Sequence, residues 1–283
     1  MVSMNRLDAN RRAHVIRCLV EGNSIRSTVR ITGVAKNTVA NLLVDVGTAC
    51  TRYQDRTLRN LACARIQCDE IWSFVYAKEK NVTAGIAAEQ RMAGSVWTWT
   101  AIDADTKLVP CWLVGKRDGG CATEFVQDLC NRLSHRVQLT TDGLKVYLTA
   151  IQDAFGNQID YGILHKVYGS ERPDAARYSP ATCVGCEKKT AIGSPDPDHV
   201  STSYVERANL TMRMSMRRFT RLTNAFSKKI ENHAAAVGLY FMWYNFGRVH
   251  QTLKMTPAMK AGIAARPWTV EEIIGLLDAE NSN

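Results

Sequence analysis

Arg65-Ile-Gln-Cys-Asp-Glu-Ile-Trp-Ser-Phe-Val-Tyr-Ala-Lys-Glu-Lys80 is the stretch on which the reading of the whole chain turns. Ile66, Ile71, Trp72, Phe74, Val75 and Tyr76 are the β-branched and aromatic residues of a largely buried strand. Asp69 stands in its middle. An ionised carboxylate in such a strand is costly unless a cation or hydrogen-bond donors hold it, so Asp69 asks for a partner. A distant arginine and a metal ion both meet that demand, and this stretch does not choose between them.

Two further acids bear on the choice. Val137-Gln-Leu-Thr-Thr-Asp-Gly-Leu-Lys-Val-Tyr147 reads as a short strand ending at Asp142, then Gly143 and a helical pattern. A carboxylate at a strand tip sits at the sheet edge where ligands often bind. The third is Glu206, in the first turns of the helix that Ser201-Thr-Ser-Tyr-Val-Glu-Arg-Ala-Asn-Leu-Thr211 begins. Strand centre, strand end and helix can meet at one point. Three converging carboxylates offer the oxygen ligands that select Mg2+ or Mn2+. Two such ions roughly 3.5–4 Å apart would stabilise the attacking and leaving oxygens of an in-line phosphodiester displacement.

The order Asp69, Asp142, Glu206 is embedded in CDEIW, TDGLKVY and STSYVERANLTMRMSMRRFTRLTNAFSK, and with these blocks the chain resembles the DDE transposases of bacterial insertion sequences from about residue 10 to 265. The resemblance implies an α/β, RNase H-like core: a mixed five-stranded sheet flanked by helices. It also implies that Asp69, Asp142 and Glu206 are catalytic and hold two Mg2+ ions, with Mn2+ as a substitute. The implied activity is metal-dependent DNA strand cleavage and strand transfer on the terminal inverted repeats of an element. Double-stranded DNA is the implied partner, and a homo-oligomer, at least a dimer, the implied active state. The spacing of 64 residues from Asp142 to Glu206 exceeds the separation in the best-known DDE families, which leaves Glu187 and Asp198 as substitutes for the third acid. Two alternatives stay open: a transposase-derived regulator that binds DNA without cutting it, and a nuclease of the same fold.

Composition points the same way. At 283 residues, with 46% hydrophobic and 22% charged, the chain is ordinary for a globular protein, but its net charge of +9 is not and asks for a polyanionic partner. No apolar run approaches the roughly 20 residues that span a bilayer. Met1-Val-Ser-Met-Asn-Arg-Leu-Asp8 lacks a signal peptide's apolar segment, so the expected location is the bacterial cytoplasm, with the nucleoid. The nine cysteines, an odd count, fit reduced thiols better than a disulfide framework. Cys183-Val-Gly-Cys186 is the one CxxC spacing; with only His165 and His199 nearby, incidental thiols explain it more simply than zinc.

In chain order, residues 1–60 read as a helix-turn-helix DNA-binding domain. Helices are expected over Asn10–Val20, from Ser24 to Thr32, and from Val34 to Val44, with Gly33 making the turn. Lys36, Asn37, Thr38 and, one turn on, Asn41 are the candidates for base edges in the major groove. Ten Lys and Arg face four acids across these 60 residues, most of the net charge of the chain. Residues 61–283 form the catalytic domain: three antiparallel strands, the third over Lys107–Val114, then helix, strand, helix, strand. Asp103 and Asp105 belong to a turn, and Asn81–Met92 to a loop. Residues 168–200 lose all periodicity and read as a flexible insertion beside the site. Ser201–Asn245 returns to helix, capped by Ser201 or Ser203, with Glu206, Asn209 and Arg213 on one face and Arg217, Arg218 and Arg221 continuing a basic stripe for phosphate contacts. A terminal helical segment with Ile273, Ile274, Leu276 and Leu277 closes the chain.

Overall fold

The computed structural model describes residues 7–90, 92–169, 183–220 and 224–280. Three helices open it: α1 (Ala9–Val20), α2 (Ile25–Thr32) and α3 (Lys36–Thr57). Asp8 and Ser24 cap the first two through their side chains, and Gly33, at φ 67°, ends α2 in the left-handed region that favours glycine. Expected to end near Val44, the third helix runs thirteen residues further, to Thr57. Its length has a tertiary cause. Val46, Gly47, Ala49, Cys50 and Gln54 are buried because α3 lies against a helix near the other end of the chain.

The core follows as β1 (Arg65–Val75), α4 (Ala84–Glu89), β2 (Gly94–Asp103), β3 (Trp112–Gly115), α5 (Gly119–Cys130), β4 (Gln138–Thr141), α6 (Val146–Phe155), β5 (Asp160–Tyr168) and β6 (Cys183–Ile192). Then come α7 (Ser203–Ser215), α8 (Ile230–Met242) with a π-turn over Trp243–Gly247, α9 (Pro257–Lys260) and α10 (Val270–Glu280). The strands form one sheet in the order β3-β2-β1-β4-β5-β6. β1 runs antiparallel to β2 and parallel to β4, β4 parallel to β5, and β5 antiparallel to β6. The result is a mixed α/β architecture consistent with an RNase H-like core, with six strands rather than the expected five.

The sixth strand is the main correction. Residues 183–190 of β6 are exposed, so the strand is held by its backbone ladder to β5 and not by an apolar face. Without side-chain burial there is no period-two pattern to read. The flexible insertion expected over 168–200 therefore contains a regular strand; its stretch 170–182 lies outside the described residues. Smaller corrections have similar causes. Asn81–Met92 holds the short helix α4, and the third strand starts at Trp112, because Leu108 and Val109 are buried in its approach rather than in the ladder. The helix expected over Ser201–Asn245 breaks after Ser215, where Met216 and Phe219 turn into the core. Its cap residue is Thr202, not a serine, and that side chain makes no cap bond.

Trp99 of β2 meets Phe125 of α5 and Tyr147 of α6, ring centroids 6.0 and 5.5 Å apart, so α5 and α6 cover one face of the sheet. α7 lies across β1 on the other. Asp103 accepts from the backbone and hydroxyl of Thr106, the turn chemistry expected of it, whereas Asp105 pairs with Arg65 of β1. Among the described residues no helix is long and apolar enough to cross a membrane.

Candidate active site

Successive residues of a strand point to opposite faces, so Gln67 and Asp69 of β1 look one way and Glu70 the other. Gln67 uses its buried Oε1 to accept the backbone N–H groups of Tyr204 (2.8 Å) and Val205 (3.1 Å). These free donors belong to the first turn of α7, which its own cap leaves unserved. Two residues along β1, Asp69 Oδ2 accepts from Asn209 Nδ2 at 2.8 Å. Two strand residues advance about 6.6 Å and the four helix residues from 205 to 209 about 6 Å, so the two bonds lock strand and helix in step.

Asp142 arrives by a different route. The parallel β1–β4 register pairs Gln67 with Thr140, and continuing it by two residues brings Asp142 alongside Asp69. Asp142 Oδ1 accepts from Leu144 N at 2.9 Å, fixing the turn into α6, while 44% of the side chain stays exposed. Glu206, in the first turn of α7, accepts from Thr202 Oγ1 and forms an ion pair with Lys166 of β5. Burial by itself would lower the Lys166 ammonium; its bond to Glu206 reverses that and raises it.

The electrostatics tie the three acids together. Burial first, then the charges of Asp142 and Glu206, raise Asp69 from 3.8 to a net value of about 6, against the bonds from the Glu70 backbone and Asn209 that lower it. Mutual repulsion of this kind is what a bound cation relieves, and the donors are all oxygens, as Mg2+ or Mn2+ requires. The side chains do not yet meet as one ligand set: among the described residues no three or more His, Cys, Asp or Glu stand where they could hold a metal ion together. The Lys166 ammonium already supplies Glu206 with a cation.

On the opposite face of β1 lies a second network that the sequence does not single out. Glu70 is buried and accepts from Tyr147 Oη of α6 and from Arg117 Nε at 3.0 Å. Burial first, then the charges of Asp69 and Asp142, raise Glu70 from 4.5 to about 7 against those two bonds. Arg117 also lies over the Trp97 ring, 4.8 Å from its centroid, and its Nη2 comes to 3.9 Å from Asp142 Oδ2. An arginine held from behind by a buried carboxylate thus stands beside the exposed acid. Glu70 and Tyr147 lie inside CDEIW and TDGLKVY, so a signal for them was at hand. Arg117 and Lys166 carry no local signal, because their partners are distant in sequence.

The remaining candidates are placed as follows. Lys36, Asn37 and Asn41 are exposed at the start of α3, and Thr38 is half-buried beside them. Asn209 is buried on Asp69, Arg213 is half-buried and Arg217 exposed; Arg221 lies outside the described residues. Glu187 is exposed on β6 opposite His165, and Asp198 is exposed in the single turn Pro197–His199. A cleft lined by Thr51, Gln54, Trp112, Phe125 and Arg132 shares no residue with the carboxylates. No family model matches the chain, and no curated protein matches it. Among solved structures, a crystal structure of the Mos1 strand transfer complex aligns over 84% of this chain and 78% of its own, at 12% identity and a TM-score of 0.25.

Proposed function

We propose that the chain is a DDE-type DNA transposase with an RNase H-like catalytic core, which cuts and rejoins strands at the terminal repeats of its element. The observation that carries the reading is the placement of the three acids: Asp69 in the middle of β1, bonded to Asn209 of the helix that also carries Glu206, and Asp142 just past the end of the neighbouring strand β4. The net charge of +9 and the exposed Lys36, Asn37 and Asn41 support duplex DNA as the partner; a dimer or larger oligomer as the working state rests on the family resemblance alone.

Asp69 and Asp142 would hold Mg2+ or Mn2+, and Glu206 would join them once Lys166 releases it. A divalent ion held there would supply a water of lowered pKa and would steady the charge on the attacking and leaving oxygens. The chain's own groups prepare the site. Asn209 fixes the orientation of Asp69 through a bond of 2.8 Å to Oδ2, which leaves Oδ1 for a ligand. Arg117, braced by Glu70, offers a donor to a phosphate arriving beside Asp142. Lys36 and its neighbours dock the duplex, which aligns the scissile bond with the nucleophile.

The test is cleavage of a labelled duplex carrying the DNA that flanks the coding sequence, in Mg2+ and in Mn2+, by wild type and by Asp142→Asn. Metal-dependent nicking that falls at least a hundredfold in the variant, with duplex binding retained, is the expected result. The Lys166–Glu206 pair favours one other reading, a regulator that binds DNA and does not cut it. Binding without nicking by the wild type in both metals would support that regulator and end the transposase reading.

A further inference from the structure

Cys183 and Cys186 have no part in the proposed chemistry. In a regular strand, residues three apart point to opposite faces. The β5–β6 ladder pairs Tyr168 with Cys183 and then Val167 with Gly185, so Val184 is an extra residue on β6. A bulge re-aims the side chains beyond it. It brings the two thiols to one side, Sγ to Sγ at 3.9 Å, both exposed, with Cys183 Sγ donating to Gly185 O at 3.2 Å. The other seven cysteines are buried or half-buried.

The geometry points to Cys183 and Cys186 as a reversible dithiol–disulfide site, oxidised by low-molecular-weight disulfides such as oxidised glutathione. Closing the bond takes the sulfurs from 3.9 Å to about 2.05 Å, roughly 2 Å of travel on an exposed bulge. One protein thiol loses its proton to solvent, and the thiolate attacks a sulfur of the small disulfide, expelling one glutathione thiolate. The second protein thiolate then attacks the protein sulfur of the mixed disulfide and expels the other. Two protein thiols are oxidised and one small disulfide is reduced to two thiols. A ring closed over so few residues constrains the unfolded chain little, so the bond is a labile one and not a structural staple. Zinc would need two more nitrogen or sulfur ligands; among the described residues no such group of three exists. The site adjoins the candidate active site, since Cys186 pairs across the ladder with Lys166, the partner of Glu206.

The experiment is a peptide map of the native full chain after oxidised glutathione at pH 8. An internal Cys183–Cys186 link is expected, reversed by dithiothreitol. In Cys186→Ser, Cys183 should stop at the glutathione adduct, and Cys183→Ser should leave the adduct on Cys186. Wild type carrying glutathione on both residues, or joined between chains, would overturn the inference. So would zinc that copurifies with the chain and shields both thiols until a chelator removes it. None of these readouts depends on DNA cleavage.

Discussion

Asp69 is kept in a place that disfavours its charge, and this has a measurable cost. Its folded value of about 6 lies above the ordinary 3.8, so the native state still holds a proton at pH values where the unfolded chain has lost it. Stability therefore falls as the pH rises from about 4 through 6, and the penalty is complete above that window. A rise of this size corresponds to about 3 kcal/mol at most. Asn can keep the Asn209 contact without a charge, so Asp69→Asn should gain about 1–3 kcal/mol at pH 8 without divalent ions and nothing at pH 4. Urea midpoints at the two pH values decide the matter; equal stability of variant and wild type at pH 8 would refute this account of Asp69. A residue that lowers stability yet sits at a converging cluster is one whose placement serves a site.

At the scale of elements, α3 and α8 approach closely through two glycines. A Cβ on Gly47 would come to 2.1 Å from Ala235 O, and one on Gly238 to 2.1 Å from Thr51 Oγ1 and 2.8 Å from Gly47 O. Both contacts involve backbone or a short side chain, so the helices must separate to admit a methyl. Gly47→Ala should cost about 2–3 kcal/mol, seen as a lower urea midpoint at unchanged slope. Gly275 in α10 is the control: nothing lies within 4 Å of its added Cβ, and Gly275→Ala should gain about 0.5–1 kcal/mol from helix propensity. A Gly47→Ala variant as stable as wild type would mean that the two helices can move apart freely.

For the whole molecule, that joint binds the first helices to the last. Gln54 of α3 donates to Gly238 O at 3.2 Å and accepts from Asn245 Nδ2 at 3.2 Å. Asn245 in turn exchanges bonds of 3.0 and 2.9 Å with the backbone of Val109. Arg12 pairs with Asp278, and Arg17 with Glu271. Removing residues 1–60 would strip α8 of its cover and leave one Asn245 amide hydrogen without its Gln54 acceptor, while its bonds to Val109 remain. The fragment 61–283 should therefore show no cooperative thermal transition; a transition at the wild-type temperature would establish that the core folds alone.

The sequence by itself was enough for the elements whose burial is one-sided or complete. β1 and β2 show it in apolar and aromatic runs, α2 in the Ser24 at its start, and Gly33 in the turn it makes. It also marked the acids Asp69, Asp142 and Glu206, because a carboxylate in an apolar run, at a strand tip or in a basic helix stands out locally. Tertiary structure alone decided the rest. β6 is a strand through its ladder and not its side chains, α3 is long because α8 lies against it, and Arg117 and Lys166 gain meaning only from Glu70 and Glu206 across space. Those features depend on pairings far apart in the chain, and no local period or composition encodes a contact whose two halves never share a window.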